Sequence, residues 1–295
     1  MAKKNYKKKQ AIAVMIPISV YYLGLMIVPV IMLFYYSFTD LSVLYGTEKF
    51  VGFKNYIDVF IYPEYMRAFW VTLLLAAFLL VIGTFAAFLI AVLLNNIKKG
   101  SSFFRTIWYI PTLLSMAVVS ELFNIMLRFD GVINNIIDLF NGSRINLHDS
   151  TFWMYFWIII LNTWKGMGGT VLIILSALKG INTELYEAAK IDGANRSTIF
   201  RKITLPLLKP ILGFVLITGG IGAFSVYEPV LLISGGGPDA STKVLLFSIY
   251  EEAFTSFKQG FASAMSVLLL IFIMIFTVIS MKITDRSLIT GKTEE

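Results

Sequence analysis

Three ionisable side chains stand inside apolar runs long enough to cross a bilayer: Glu121, Lys165 and Glu228. A charge in hydrocarbon is costly, so such residues as a rule face a water-filled path, a ligand or a compensating partner. Lys165 sits in the string Asn162-Thr163-Trp164-Lys165-Gly166-Met167-Gly168-Gly169. Glu228 stands between Tyr227 and Pro229, with Ser225 near by and Gly219, Gly220 and Gly222 before them. A sugar is held by aromatic faces against its ring and polar groups on its hydroxyls. Asn162, Trp164, Lys165, Ser225, Tyr227 and Glu228 supply both kinds, and the glycines let a helix bend or a ligand approach the backbone. The competing arrangement is structural: Lys165 and Glu228 pair with each other or with a partner chain, and the glycines only pack helices. Glu121 falls near the end of its run and is the weaker candidate.

Chemistry of other kinds lacks its residues. The chain has no cysteine, which excludes disulfides, thiolate metal sites and cysteine nucleophiles. Its one histidine, His148, lies in a polar loop without a metal-ligand partner near by and reads as a surface residue. Gly291-Lys292-Thr293 lacks the first glycine that a G-x-x-x-x-G-K-[ST] loop needs, and the run Gly235-Gly236-Gly237 has no lysine placed to hold a phosphate. No metal-ligand cluster, catalytic triad or pair of carboxylates inside a span is present. The chain is expected to be no enzyme, to bind no metal and to hydrolyse no ATP.

The elements that position these residues are membrane spans. The chain is 57% hydrophobic and 15% charged, whereas a soluble domain carries roughly 25% charged residues. Six apolar runs emerge, at about 11–38, 69–94, 107–127, 153–175, 207–233 and 261–281, each long enough for the roughly 20 residues a spanning helix needs. The first follows a basic arm, residues 1–10; it is too long for a signal-peptide core and lacks a small-residue cleavage site. The fourth opens on an aromatic belt from Trp153 to Trp157. A short amphipathic helix is expected over 244–257. The fold class is all-α membrane protein. The net charge of +7 is read as topological marking rather than nucleic-acid binding.

One polar stretch stands out between the fourth and fifth runs, NTELYEAAKIDGANRSTIFRKITLPLLKP from Asn182 to Pro210. It predicts two short helices hinged at Gly193, the first capped by Thr183 and the second by Asn195 or Ser197, with Pro206 and Pro210 marking entry into the next segment. Glu187-Ala188-Ala189, three residues, Gly193, nine residues, then Ile203-x-Leu205-Pro206 resembles the EAA motif of permease subunits in binding-protein-dependent ABC importers. NTWKG ahead of that loop and LLISGGGPDAST after the following span are similar to the carbohydrate-uptake permeases of the maltose and glycerol-3-phosphate group. The resemblance runs over nearly the whole chain.

It implies a six-helix permease of the type I (MetI-like) fold that forms half of a sugar pathway. Glu187, Ala188, Ala189 and Gly193 would contact a cytoplasmic ATPase, and Trp164, Lys165, Gly166, Gly169, Ser225 and Glu228 would face the central cavity. Two charged residues in that cavity would suit an acidic or unusual sugar. The implied partners are a second, homologous permease, two ATP-binding subunits that carry the ATP and magnesium, an extracytoplasmic solute-binding protein, a carbohydrate and lipid. An ion-coupled secondary transporter, with Glu121 and Glu228 as ion sites, is the alternative.

Charge asymmetry bears on orientation independently. The N-terminal arm, the 95–106 loop, the 179–209 region and the tail hold 17 of the 25 Lys and Arg, and the loops opposite hold 7. The rich side is expected to be cytoplasmic in a bacterial cell membrane, with both termini and the 182–206 loop on it. A single permease domain is expected over 11–285, with a tail at 286–295.

Overall fold

The prolines, glycines and polar breaks of the apolar runs decide where each helix bends or stops. The computed structural model describes residue 13 and residues 15–97 and 99–284; the basic arm at 1–10 and the tail at 286–295 lie outside the described residues. Those described form helices α1 (Met15–Tyr36), α2 (Lys54–Ile61), α3 (Pro63–Asn95), α4 (Ser101–Leu113), α5 (Met116–Leu127), α6 (Val132–Leu139), α7 (Thr151–Gly180), α8 (Thr183–Ile191), α9 (Arg196–Phe224), α10 (Leu245–Tyr250) and α11 (Gln259–Ile283). Extended pairing among them is limited to two isolated bridges, Thr39 with Phe50 and Ser42 with Thr47. Five of the helices are long and apolar enough to cross a membrane; α4 with α5 and α6, bent by 91° at the break, brings the number to six when counted as one span.

Two of the expected spans differ from the sequence reading. The third is expected over about 107–127, with Pro111 near its start. Instead α4 ends at Leu113 and α5 starts at Met116, because Leu114 and Ser115 are extended, with ψ of 149° and 137°. Pro111 removes a donor from the last turn of α4, which makes this the place to break. The fifth span was expected to begin anew at the prolines and to run to 233. Instead α9 is continuous from Arg196, passing through a π-helical turn at Phe200–Thr204 just before Pro206, and it stops at Phe224. The wider turn precedes a proline that sits at the start of the following α-segment, where no donor is needed. Residues 225–227 are non-helical, and a separate π-turn follows at Val230–Ser234.

The described residues cluster into two compact units, one made of those up to Met66 with Ser248–Leu270 and one of Arg67–Phe247 with those from Ile271 on. In the first, α1 carries its apolar side chains exposed along its length, from Met15 to Tyr35; a helix apolar all round needs lipid or a partner to cover it. The segment after it is pinned by Asn55, whose buried amide donates to Ser37 O and Thr39 O at 3.0 and 2.8 Å. Phe38, Phe53 and Tyr56 pack ring against ring beside it.

In the second unit three apolar clusters form where small residues let helices approach. Ala87 and Ala91 of α3, both fully buried, meet Val171, Ile174 and Leu175 of α7 and Leu208 of α9. Leu75, Leu79, Ile158, Phe224 and Val230 make a second, and Val119, Leu127, Met154 and Leu161 a third. Side chains of this kind in lipid associate by packing rather than by the hydrophobic effect, which favours Ala and Gly at the contacts.

Candidate functional site

The candidate site has two parts, a cavity and a helical hairpin, both within the second unit. The cavity encloses about 430 Å³ between α3, α7, α9 and the break after it. α7 presents Asn162, Thr163, Gly166 and Thr170 to it, residues that share one helical face at spacings of three and four. α9 presents Thr218, Gly219, Gly222 and Ala223 in the same manner. Because α9 stops at Phe224, the non-helical residues Ser225 to Tyr227 and the following Glu228 and Pro229 turn onto the wall instead of passing it.

Hydrogen bonds fix what the wall offers. Asn162 Nδ2 donates to Ile158 O at 2.8 Å, Thr218 Oγ1 to Phe214 O at 2.9 Å and Ser225 Oγ to Ile221 O at 2.9 Å. One donor of each is taken by the carbonyl four residues back, the usual way a short polar side chain is satisfied inside a helix in an apolar setting. Thr163 Oγ1 is buried with no partner among the described residues.

Of the sequence-selected residues, Asn162, Gly166, Ser225, Tyr227 and Glu228 come together on this cavity; Trp164, Lys165 and Gly169 do not line it. Trp164 packs on Phe123 with ring centroids 6.3 Å apart. The Lys165 backbone carbonyl accepts from Thr112 Oγ1 at 2.9 Å, on the side where α4 crosses. Among the described residues Lys165 and Glu228 form no ion pair. Glu121 is exposed, off the cavity, within 3.4 Å of the Asn124 amide. The threonines Thr84, Thr163, Thr170 and Thr218 were missed; their spacing around Asn162, Gly166 and Gly222 was the available signal. So was Gly168, where a Cβ would run into the Trp108 carbonyl and stand 2.6 Å from Thr112 Oγ1, whereas Gly166 and Gly169 face open space.

The hairpin is α8 and the start of α9. Asn182, not Thr183, caps α8: its side chain accepts from Glu184 N–H at 3.0 Å. The helix closes in a left-handed turn at Gly193, φ +76°. Gly193 N–H donates to Lys190 O (3.0 Å) and Ala194 N–H to Ala189 O (2.9 Å), the paired bonds of a Schellman ending. Asn195 then caps the next turn by accepting from Thr198 N–H at 2.9 Å. Phe200 packs on Phe88 of α3, and Tyr186 Oη lies 3.2 Å from Thr204 Oγ1, so the pair is anchored at its base. Glu187, Ala188 and Gly193 are exposed and Ala189 is half-buried, with Leu185 and Ile191 also exposed. The short connections at 181–182 and 192–195 tie α8 to α7 on one side and α9 on the other, the two helices that supply half of the residues lining the cavity.

His148 is half-buried rather than on the surface, its Nε2 3.2 Å from Asn124 Oδ1. Loss of solvent holds its pKa below the ordinary 6.5; Arg128 adds to this and Asp149 opposes it.

The comparisons with known proteins agree with this architecture. A family model for the binding-protein-dependent transport system inner membrane component matches residues 11–290. The probable ABC transporter permease protein YesP of Bacillus subtilis is 35% identical, over 90% of this chain and 87% of that one. The trehalose/maltose transport system permease protein MalF of Thermococcus litoralis is 30% identical, over 96% of each. A solved bacterial ABC transporter involved in import of the acidic polysaccharide alginate has a chain that superposes with a TM-score of 0.83 at 26% identity, covering 96% of this chain and 99% of that one. A chain with five apolar spanning helices and a sharply bent apolar pair among its described residues, matched over nearly its whole length in this way, belongs to the family of inner membrane components of binding-protein-dependent ABC transport systems.

Proposed function

We propose that this chain is one permease half of an ATP-driven carbohydrate importer. It pairs with a second, homologous permease, receives substrate from a solute-binding protein on one face and is driven by two ATPase subunits on the other. The permease is not itself an enzyme: ATP and magnesium belong to the ATPases. Both termini and α8 face the cytoplasm, which the excess of Lys and Arg on that side supports. The maltose and alginate systems among its relatives support a carbohydrate as cargo.

The observation that carries the mechanism is the placement of α8. An exposed helix with a small-residue face and a fixed left-handed ending joins directly to the two helices that wall the cavity. Glu187 makes the polar contact with the ATPase, and Ala188 and Ala189 let its surface come close. When ATP closes the ATPase dimer, α8 moves as a rigid lever, and α7 and α9 carry the movement to the cavity. The pathway then exchanges inward-open for outward-open, a shift between two populated states biased by ATP.

The test is uptake of radiolabelled sugars by the complete complex in proteoliposomes, with and without ATP. Gly193→Val forces a β-branched residue into a left-handed conformation at a cost of about 1–3 kcal/mol. Uptake should fall by about tenfold or more while the four partners still co-purify, because RT sets that ratio for the upper half of such a cost. Uptake unchanged in the variant, or uptake by the permease without ATPase, would sink the proposal.

A further inference from the structure

The cavity wall has a chemical polarity of its own. Asn162, Thr218 and Ser225 have each given a donor to the carbonyl four residues back. What Thr218 and Ser225 turn towards the cavity is therefore an oxygen lone pair, while Asn162 keeps its carbonyl oxygen and one N–H, and Thr84 and Thr170 bring further hydroxyls to the wall. Glu228, half-buried on the same wall, adds a carboxylate, which when ionised only accepts. No Lys, Arg or His is among the described residues lining the cavity, and Lys165, the cation nearest in sequence, stands off it.

Such a surface discriminates by hydrogen-bond sense as well as charge. A sugar hydroxyl donates and accepts, so it satisfies the lone pairs of Thr218, Ser225, Asn162 and Glu228. A uronate carboxylate or a phosphate ester brings acceptors without donors and a charge of the same sign as Glu228. At Thr218, Ser225 and Glu228 lone pair then faces lone pair, and the partly desolvated like-charge contact with Glu228 adds its own, larger cost.

We infer that this subunit selects an uncharged carbohydrate and rejects anionic ones, with Glu228 as the specificity-determining residue. The inference rests on the carbohydrate assignment above and deepens it. It runs against a transfer of substrate from the alginate system, and against the acidic sugar that Lys165 and Glu228 together suggested in the sequence.

The experiment compares import by the assembled complex in proteoliposomes across a panel of neutral trisaccharides and their uronate counterparts of matched length. The wild type should import the best neutral sugar at least about tenfold faster than its uronate, the scale of one unfavourable like-charge contact. Glu228→Gln should shrink that preference several-fold, and Glu228→Asp, which keeps the charge, should retain it. The binding protein is the same in every arm, so its own selectivity cancels when the variants are compared. Equal import of uronates by the wild type overturns the inference, and so does a preference that Glu228→Gln leaves untouched. If an assembled complex that hydrolyses ATP imports no sugar of either kind, the carbohydrate assignment itself falls, a result distinct from import without charge preference.

Discussion

Single polar side chains settle the local geometry at several points. Asn182 and Asn195 each end an orphan backbone donor, and the choice of Asn182 over Thr183 moves the start of α8 by one residue. His148 has a comparable role in the loop before α7, where its imidazole meets Asn124. Its folded-state pKa lies below the ordinary value because burial disfavours the charged ring. The unfolded chain therefore takes up the proton first, and folding stability is complete above that ordinary value and falls as the pH drops through it. The melting temperature of the purified protein should decline between about pH 7 and pH 5, the window around a free imidazole. His148→Gln, which keeps a polar partner for Asn124 without titrating there, should flatten that decline. An identical pH profile in the two proteins would show that His148 does not contribute it.

At the scale of the element, α7 works on two faces. One face carries Asn162, Thr163, Gly166 and Thr170 to the cavity; the other receives α4, with Gly168 at the crossing. Removing the side chain at 168 is what lets the two helices close, in the manner of small residues at helix contacts in membranes. Gly168→Ala gains helix propensity of about 1 kcal/mol but meets a backbone carbonyl that cannot swing aside. A net loss of about 1–3 kcal/mol, typical of overpacking, is expected. Gly169→Ala, with open space around it, should be neutral or slightly stabilising. Thermal unfolding of the two variants in one detergent checks this, and equal stabilities would remove the crossing at Gly168 as the reason for the glycine.

For the whole molecule the surfaces are as telling as the core. α1 exposes apolar side chains throughout, and α8 exposes a mixed face with Leu185, Ala188 and Ile191. The first suits lipid or another span; the second suits a water-side protein. The orientation proposed for these surfaces can be read directly, because the chain has no cysteine of its own. A single cysteine placed by Ala188→Cys should react with a membrane-impermeant maleimide only in inside-out vesicles, and lose reactivity when the ATPase is bound. Ser143→Cys, in the exposed loop after α6, should react only from outside the cell. The reverse pattern would invert the topology and end the coupling role of α8.

Run length, composition and the spacing of a few residues were enough to determine the all-helical spanning architecture, the hinge at Gly193 and five of the residues that line the cavity. These are local properties: an apolar run of sufficient length has helix as its one satisfied conformation in lipid, and a left-handed turn calls for glycine wherever it occurs. Which way a residue in such a helix faces is not local. Lys165 and Glu228 are equally conspicuous in the sequence, yet one lies off the cavity and the other lines it. That difference comes from where α4 crosses α7 and from the end of α9 at Phe224. Both depend on contacts between residues distant in the chain, so only the tertiary structure decided them.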